Sequence, residues 1–206
     1  MNRTELGIDE AGRGPVLGPM VLAGVRASQR DLSLLEEWGV KDSKLFGSSV
    51  RGQVRRNELA DRIMAACSYE LVILTPETID EHVREHALNR LEQNTARGII
   101  SALPADKVVL DGATLFKPLI NSSVHAVNKA DRSHVSVAAA SILAKWKRDA
   151  LFKQLCQPFI KSFGEIRGGG YANPQTLAFV KWHLENRGGL PSFYRKSYNW
   201  KALKSN

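Results

Sequence analysis

An α/β fold is predicted by three features of the sequence. Two short apolar runs, at residues 107–110 and 124–127, have the length and composition of buried strands. A stripe of apolar residues at intervals of three or four begins at Val135 and predicts a helix. The chain of 206 residues is 43% hydrophobic, which is enough for one domain with a core, and no Pro- or Ser-rich linker divides it. The sequence therefore predicts a single α/β domain over residues 1–206.

The amino-terminal part is predicted to contain two strands followed by two helices. Leu6 and Ile8 begin the first strand, and Val21–Val25 forms the second after a turn rich in Gly and Pro. The spacing of apolar residues predicts helices at residues 32–38 and 51–67. The two strands are expected to pair as a hairpin.

Later segments carry clear signals for the start of a helix. A strand that alternates in polarity at residues 69–74 is followed by Thr75-Pro76, where Thr can cap the first helical amides and Pro fits the first turn. The helix or helix pair that begins there is predicted to end near Leu103. Asn173-Pro174 is a similar signal and predicts a last helix that reaches about Asn186.

The charge and cysteine content narrow the class of protein. A net charge of +8 and an isoelectric point near 9.7 favour a polyanionic partner, because Lys and Arg release counterions from phosphates, although an incidental basic surface is the alternative. Cys67 and Cys156 are too few for a zinc site or a disulfide framework, so both are expected to be reduced. No apolar window has the length of a membrane span, and a cytoplasmic protein without a membrane partner is expected.

Four acidic residues lie at or just beyond the ends of predicted buried strands: Asp9, Glu10, Asp111 and Asp131. Strand ends are the usual place for a site in an α/β protein. Each acid alone is more simply explained as part of a turn, a helix approach or a solvated pair. Together, however, they would repel one another unless cations neutralised them. Ligands that are all oxygen favour a hard ion, Mg²⁺ or Mn²⁺.

The adjacency of Asp9 and Glu10 limits how they can share such a site. Neighbouring residues of a strand point to opposite faces, so both acids can serve one site only if the strand ends or twists between them. The glycines that follow, at positions 12 and 14, make such a break reasonable.

Six motifs carry a family resemblance. They are Gly7-Ile8-Asp9-Glu10-Ala11-Gly12-Arg13-Gly14-Pro15, Asp42-Ser43-Lys44, Asp111-Gly112, Lys129-Ala130-Asp131 followed by Ala139-Ala140-Ser141-Ile142-Leu143-Ala144-Lys145, Gly170-Tyr171, and Arg195-Lys196-Ser197. In these motifs and their order, the sequence resembles the type 2 ribonucleases H, the ribonuclease HII family, in its archaeal form. The resemblance runs from about residue 4 to residue 200, and its first motif is highly specific.

The resemblance implies both a fold and a reaction. It implies a ribonuclease H-like fold with a central mixed sheet flanked by helices, and a helical, substrate-contacting part at about residues 150–206. It also implies an endonuclease that hydrolyses the RNA strand of RNA/DNA hybrids and cuts 5′ of a ribonucleotide embedded in duplex DNA. The products would carry 3′-hydroxyl and 5′-phosphate ends, and two Mg²⁺ or Mn²⁺ ions would be required.

The same resemblance implies roles for individual residues. Asp9, Glu10, Asp111 and Asp131 match the catalytic, metal-binding acids, with Asp9 bridging both ions. Gly12, Arg13, Gly14 and Tyr171 match the residues that sense the ribose 2′-hydroxyl, whereas Lys44, Lys145 and Arg148 match positions that hold substrate phosphates. The alternatives are an ordinary tight turn for the glycines, a core ring with its hydroxyl outward for the tyrosine, and a solvated helix face for the basic residues.

Some features depart from the family pattern. Trp146 stands where a small aliphatic residue is usual, and the tyrosine loop reads Gly-Gly-Gly-Tyr-Ala-Asn-Pro, which puts the rigidity of the loop in doubt. The tail contains no clear sliding-clamp peptide, and a monomer is the default expectation because no heptad pattern is present. Two rival functions remain: a catalytically silent hybrid-binding module, and a related metal-dependent nuclease or transposase that cuts all-DNA duplex.

Overall fold

The fold is built on a mixed five-stranded sheet with helices. A computed structural model describes residues 3–40, 49–198 and 200–203. The strands are β1 (Thr4–Ala11), β2 (Met20–Ser28), β3 (Ser68–Leu74), β4 (Lys107–Asp111) and β5 (Val124–Val127), in the spatial order β3-β2-β1-β4-β5. The α-helices are α1 (Gln29–Glu37), α2 (Val50–Ala66), α3 (Pro76–Arg84), α4 (Leu88–Ala102), α5 (Val135–Cys156), α6 (Ile160–Phe163) and α7 (Pro174–Arg187).

The contacts within the chain divide it into two compact units. The first unit comprises Met1–Ala11, Val21–Val72 and Asn89–Trp146, and it holds most of the sheet. The second unit comprises Gly12–Met20, Ile73–Leu88 and Lys147–Asn206, and it holds the carboxyl-terminal helices. The single domain expected over residues 1–206 stays a prediction.

The sheet contains an antiparallel pair, β1 and β2, beside three parallel strands, β1, β4 and β5, of which β4 is the middle one. β1 pairs with β2 in an antiparallel register that joins Ile8 to Gly24, as the predicted hairpin requires. β1 and β4 are parallel, with Ile8 opposite Leu110, and β4 and β5 are parallel, with Leu110 opposite Ala126. The carboxyl ends of β1, β4 and β5 therefore lie at the same edge of the sheet.

Gly7 lets helix α5 pack directly on strand β1. A Cβ atom at this position would lie 2.2 Å from both the carbonyl carbon of Ser136 and the amide nitrogen of Val137. Glu5 fixes the same crossing, because the hydroxyl of Ser136 donates a hydrogen bond of 2.6 Å to its carboxylate and Lys107 donates another of 2.8 Å. Although burial raises the pKa of Glu5, these bonds outweigh it and hold that pKa below its usual value.

The first half of α5 is buried on more sides than the sequence predicts. The predicted stripe is inside, but Val137, Ala140, Leu143 and Ala144 are buried as well. Small side chains make this possible, because they let neighbouring backbones approach from several directions. The exposed face of this part of the helix is therefore narrower than a single apolar stripe predicts.

The second unit has its own core of aromatic side chains. Phe179 packs edge-on against Phe159 and stacks with Phe193, at ring-centroid distances of 5.3 and 6.1 Å. Helix α7 begins as predicted, since the side chain of Asn173 accepts a hydrogen bond of 2.9 Å from the amide of Thr176. Among the described residues, no helix is long and apolar enough to cross a membrane.

Replacing Gly7 by Ala should destabilise the protein strongly. The added methyl group meets backbone atoms of α5 that cannot move without separating the helix from the sheet, so we expect a loss of about 3 kcal/mol or more. Denaturant unfolding measures this loss. Gly98→Ala is the matched control: a Cβ there meets nothing within 4 Å, and Ala should stabilise α4 by about 0.5–1 kcal/mol. Equal stabilities of the two variants would contradict the close crossing.

Candidate active site

Asp9 and Asp111 occupy equivalent positions on neighbouring parallel strands. Each follows a pair of residues that are opposite in register, Ile8 and Leu110, by one position. Side chains at equivalent positions of paired strands point to the same face of the sheet. Asp9 is only 7% exposed, whereas Asp111 is half-buried. The register therefore brings these two carboxylates together, as the sequence predicts.

Asp131 reaches the same edge through a short turn after β5. Lys129 adopts a left-handed conformation (φ 57°, ψ 40°) and leads into a 3₁₀ turn at Ala130–Arg132, which buries Asp131 to 4% exposure. The amide of Ala130 donates a hydrogen bond of 3.1 Å to Oδ1 of Asp111. This bond connects the turn that carries Asp131 to the end of β4.

The pKa of Asp9 is shifted by its burial and by the two other aspartates at this edge. Burial, which is the largest cause, and the negative charges of Asp111 and Asp131 together raise this pKa from 3.8 to about 7. Hydrogen bonds from the side chain of Ser141 on α5 and from the amide of Glu10, the latter 2.8 Å long, oppose the rise. Asp9 is therefore a buried carboxyl group whose ionisation its two acidic neighbours disfavour.

Glu10 is placed differently from the other three acids. β1 continues through both acids, and its ladder with β2 stays regular to the pair Ala11 and Val21. The break expected between Asp9 and Glu10 is absent, because the strand remains paired with β2 past both residues. Alternation then directs the two side chains to opposite faces, and Glu10 is half-buried. Its part in a shared site stays a prediction.

The acids have the donor chemistry of a site for a hard divalent cation. Their ligand atoms are all carboxylate oxygens, and a positive ion would relieve the repulsion that raises the pKa of Asp9. Within residues 3–40, 49–198 and 200–203, no three His, Cys, Asp or Glu side chains already form a metal-binding group. The charge and chemistry of the acids therefore fit a hard divalent cation, but the side chains of the described residues do not already form a complete set of ligands for it.

The Gly12–Gly14 loop of the second unit is a bend in which two carbonyls are held by the side chain of Arg195. Gly12 has φ +91°, and a Cβ there would lie 2.7 Å from the carbonyl oxygen of Pro19, so glycine is required. The carbonyls of Gly12 and Arg13 accept hydrogen bonds of 2.6 and 2.9 Å from Arg195. Arg13 and Gly14 are exposed. The loop bends at these residues and presents the backbone of Gly14 to solvent, and the roles of its residues stay a prediction.

Tyr171 lies next to this loop and is 53% exposed, so the alternative of a core ring is wrong. A Cβ on Gly14 would lie 3.4 Å from Cε1 of its ring. The three preceding glycines all have positive φ, at 76°, 59° and 73°. The carbonyl of Gly170 accepts hydrogen bonds of 2.9 and 3.1 Å from the amides of Val16 and Leu17. These bonds order the tyrosine loop despite its glycines.

The predicted phosphate-binding residues have three different environments. Lys145 is exposed on α5. Arg148 is only 2% exposed and donates to the carbonyls of Leu17 and Gly169, so the alternative of a solvated helix face is wrong for it. Lys44 lies outside the described residues. Contact of these side chains with phosphate stays a prediction.

Sequence reasoning assigned no role to Arg195, Tyr198 or Asp80. Arg195 and Asp80 are buried, and both bond to backbone atoms far away along the chain. The motif Arg195-Lys196-Ser197 carried a resemblance but no chemistry, and the sequence offers no signal that a charged residue in a basic tail is buried.

Comparisons with known proteins agree over nearly the whole chain. The family model described as Ribonuclease HII matches residues 6–201. The Ribonuclease HII of Methanococcus maripaludis strain C6 is 35% identical over 208 residues, which cover 94% of this chain and 83% of that protein.

Two solved structures show the same fold. The crystal structure of ribonuclease H2 from Pyrococcus horikoshii OT3 has a TM-score of 0.82 at 29% identity, covering 98% of this chain and 100% of that chain. The structure of the PCNA:RNase HII complex from Archaeoglobus fulgidus matches with a TM-score of 0.78 at 32% identity, covering 95% of each chain. These matches confirm the predicted ribonuclease H-like fold with its mixed sheet and helices. The chain belongs to the ribonuclease HII family.

Proposed function

We propose that the protein cuts 5′ of a ribonucleotide embedded in duplex DNA, in addition to hydrolysing the RNA strand of RNA/DNA hybrids, and leaves 3′-hydroxyl and 5′-phosphate ends. Family membership makes it a ribonuclease H of type 2, a hydrolase that acts on RNA/DNA hybrids. The observation that carries the finer proposal is the Gly12–Gly14 loop, with its exposed backbone beside the exposed ring of Tyr171.

The acids at the sheet edge would hold the divalent cations. Asp9, Asp111 and Asp131 supply three carboxylates, and the charges of Asp111 and Asp131 already act on Asp9. We include Glu10 as the fourth ligand from the sequence alone, since its side chain can join theirs only if β1 twists between Asp9 and Glu10. When bound, two Mg²⁺ or Mn²⁺ ions would supply the polarisation of water and the stabilisation of charge on the leaving oxygen that phosphodiester hydrolysis needs. Asp9 must give up its proton for this role, and the hydrogen bonds from Ser141 and the Glu10 amide favour its ionised form.

The loop and the tyrosine would select the position of the cut. A ribose 2′-hydroxyl both donates and accepts hydrogen bonds, and it is the group that separates RNA from DNA at a given site. The glycines of the loop leave room for a sugar to approach the backbone. Tyr171 presents an exposed ring and hydroxyl next to Gly14. We assign junction recognition to these residues.

Basic residues would hold the substrate backbone without reading its sequence. Lys145 is exposed and suited to a phosphate contact, and Lys44 is assigned the same role from the sequence. Arg148 keeps its assignment as a phosphate contact only as a prediction, since its bonds to the carbonyls of Leu17 and Gly169 give it a structural role in the loops. A monomer without a sliding-clamp peptide also stays a prediction.

Replacing Asp111 by Asn should nearly abolish cleavage while leaving substrate binding largely intact. Asn keeps an oxygen that can accept the hydrogen bond from Ala130, but it removes the charge that a cation requires. We expect kcat on a duplex with one ribonucleotide to fall by about a thousand-fold or more. Asp61→Asn, which makes the same chemical change at an exposed acid of α2, should be neutral. Near-normal turnover by Asp111→Asn would contradict the metal-binding role of Asp111, and cutting of all-DNA duplex by the wild type would contradict the proposed choice of substrate.

Replacing Asp9 by Asn should change how stability depends on pH in the absence of metal. Burial and acidic neighbours raise the pKa of Asp9 in the folded protein from 3.8 to about 7. Between these values the folded state binds more protons than the unfolded state, so this group makes stability fall as pH rises and contributes no further loss above about pH 7. The rise corresponds to roughly 4 kcal/mol at most.

In EDTA we therefore expect Asp9→Asn to melt several degrees above the wild type at pH 8 and to approach it near pH 4. Added Mn²⁺ should raise Tm in the wild type much more than in the variant. Thermal melting across this pH range measures both effects. Parallel curves of Tm against pH for the two proteins would contradict the assignment of Asp9.

Replacing Tyr171 by Ala should blur the position of the cut more than it weakens metal binding. The change removes the proposed recognition group and alters none of the four acids. We expect the fraction of cuts made directly 5′ of a single ribonucleotide to fall by about ten-fold relative to other positions. Gel mapping of end-labelled products gives this fraction, and Tyr69→Ala on β3 is a control at another exposed tyrosine. Loss of the Mn²⁺-induced rise in Tm would mean that the division of roles is wrong.

A further inference from the structure

Arg195 is a fully buried guanidinium that bonds to three carbonyls of one short segment. It is 0% exposed. Its nitrogens donate hydrogen bonds of 2.6 Å to Gly12, 2.9 Å to Arg13 and 2.9 Å to Gly18, all to backbone oxygens. A buried charge is tolerated only when its hydrogen bonds are made, so burial couples this side chain tightly to the shape of the segment.

The side chain of Tyr198 also bonds to the carbonyl of Arg13. Its hydroxyl donates a hydrogen bond of 2.6 Å to the carbonyl of Arg13 and accepts one of 3.1 Å from Arg195. The guanidinium carbon of Arg195 lies 5.0 Å from the centroid of the tyrosine ring, which is within the range of a cation–π contact. Two side chains, those of Arg195 and Tyr198, thus bond to the Arg13 carbonyl.

The backbone around Arg195 is held in place independently. The amide of Arg195 donates a hydrogen bond of 2.9 Å to the carbonyl of Val16. The amides of the next two residues, Lys196 and Ser197, donate bonds of 2.8 and 2.9 Å to the buried carboxylate of Asp80 on α3. The backbone that carries the guanidinium is therefore fixed, so the guanidinium can hold the Gly12–Gly14 loop in one position.

Because peptide groups are planar, the direction of the loop carbonyls also sets the direction of the loop amides. In a trans peptide the C=O and the following N–H point in opposite directions. With the carbonyls of Gly12 and Arg13 directed at Arg195, the amides of Arg13 and Gly14 are directed away from it, at residues that are exposed. A positive charge on the carbonyl side also polarises each peptide and makes its N–H a stronger donor.

We propose that Arg195, assisted by Tyr198, is a positioning residue that sets substrate choice by aiming the backbone donors of the Gly12–Gly14 loop. The inference rests on the proposed role of this loop in sensing a 2′-hydroxyl. A continuous hybrid presents a 2′-hydroxyl at every position of its RNA strand, so a loosened loop still finds one. A single embedded ribonucleotide presents only one, and its cleavage depends on accurate aim.

The test compares two variants on two substrates. Arg195→Lys keeps a positive charge but lacks the planar fork that reaches several acceptors, and Tyr198→Phe removes one hydroxyl from a half-buried ring. Steady-state kinetics are measured on a duplex with one ribonucleotide and on a continuous RNA/DNA hybrid of equal length. Tyr194→Phe is the matched control, since it removes a hydroxyl from a tyrosine of the same segment that packs in the aromatic core.

We expect the ratio of kcat/KM on the single ribonucleotide to kcat/KM on the hybrid to fall about five-fold in Tyr198→Phe and about ten-fold or more in Arg195→Lys. The loss should fall mainly on kcat, because phosphate contacts that set KM are unchanged. The ratio should not change in Tyr194→Phe. A merely structural defect lowers the fraction of active enzyme, which reduces both rates equally and leaves the ratio intact.

The outcomes separate this inference from the proposed function. If the wild type cuts at the single ribonucleotide and both variants keep its ratio, the positioning role is overturned while the proposed function stands. If the wild type itself does not cut there, the proposed function fails and the inference falls with it. Should Arg195→Lys fold poorly, an unchanged ratio in Tyr198→Phe alone overturns the inference.

Discussion

The direct packing of helix α5 on strand β1 is the constraint on which the acidic edge depends. It requires a residue without a side chain at position 7, because the backbone of Ser136 and Val137 occupies the place of a Cβ. From this crossing the helix continues to Ser141, whose side chain bonds to Asp9 two residues beyond Gly7 on β1. Gly7 therefore sets the distance between β1, which carries Asp9, and α5, whose Ser141 bonds to Asp9.

The parallel register of β1, β4 and β5 converts this packing into a concentration of negative charge. Strands that run in the same direction end at the same edge, so acids separated by about a hundred residues along the chain come under one another's influence. Such an arrangement costs folding free energy when the acids ionise. A cluster with this cost is expected where a cation is bound during function, because the ion then offsets the repulsion.

Much of this architecture could be predicted from the sequence, because it follows from local pattern. The hairpin, the buried strand β4 that ends at Asp111 and the capped start of α7 were all predictable from periodicity and cap residues, whereas β5 forms where it was predicted but is largely exposed rather than buried. The relative placement of Asp9 and Glu10 could not be predicted, because whether β1 breaks after Asp9 depends on its hydrogen-bonded pairing with β2. The burial of Arg148 and Arg195 could not be predicted for a similar reason, because the carbonyls to which they donate belong to loops distant in sequence.

Two opposite solutions to buried charge thus occur in one chain. The first unit places Asp111 and Asp131 near the buried carboxyl group of Asp9, whose ionisation is disfavoured by its burial and by their negative charges. The second unit buries two guanidiniums whose partners include backbone carbonyls, and these partners are always present. Burial lowers the pKa of Arg195, but an arginine remains charged even so. The acidic cluster is therefore suited to a step that depends on ion loading, whereas the arginines are suited to holding a loop in one shape before any substrate arrives.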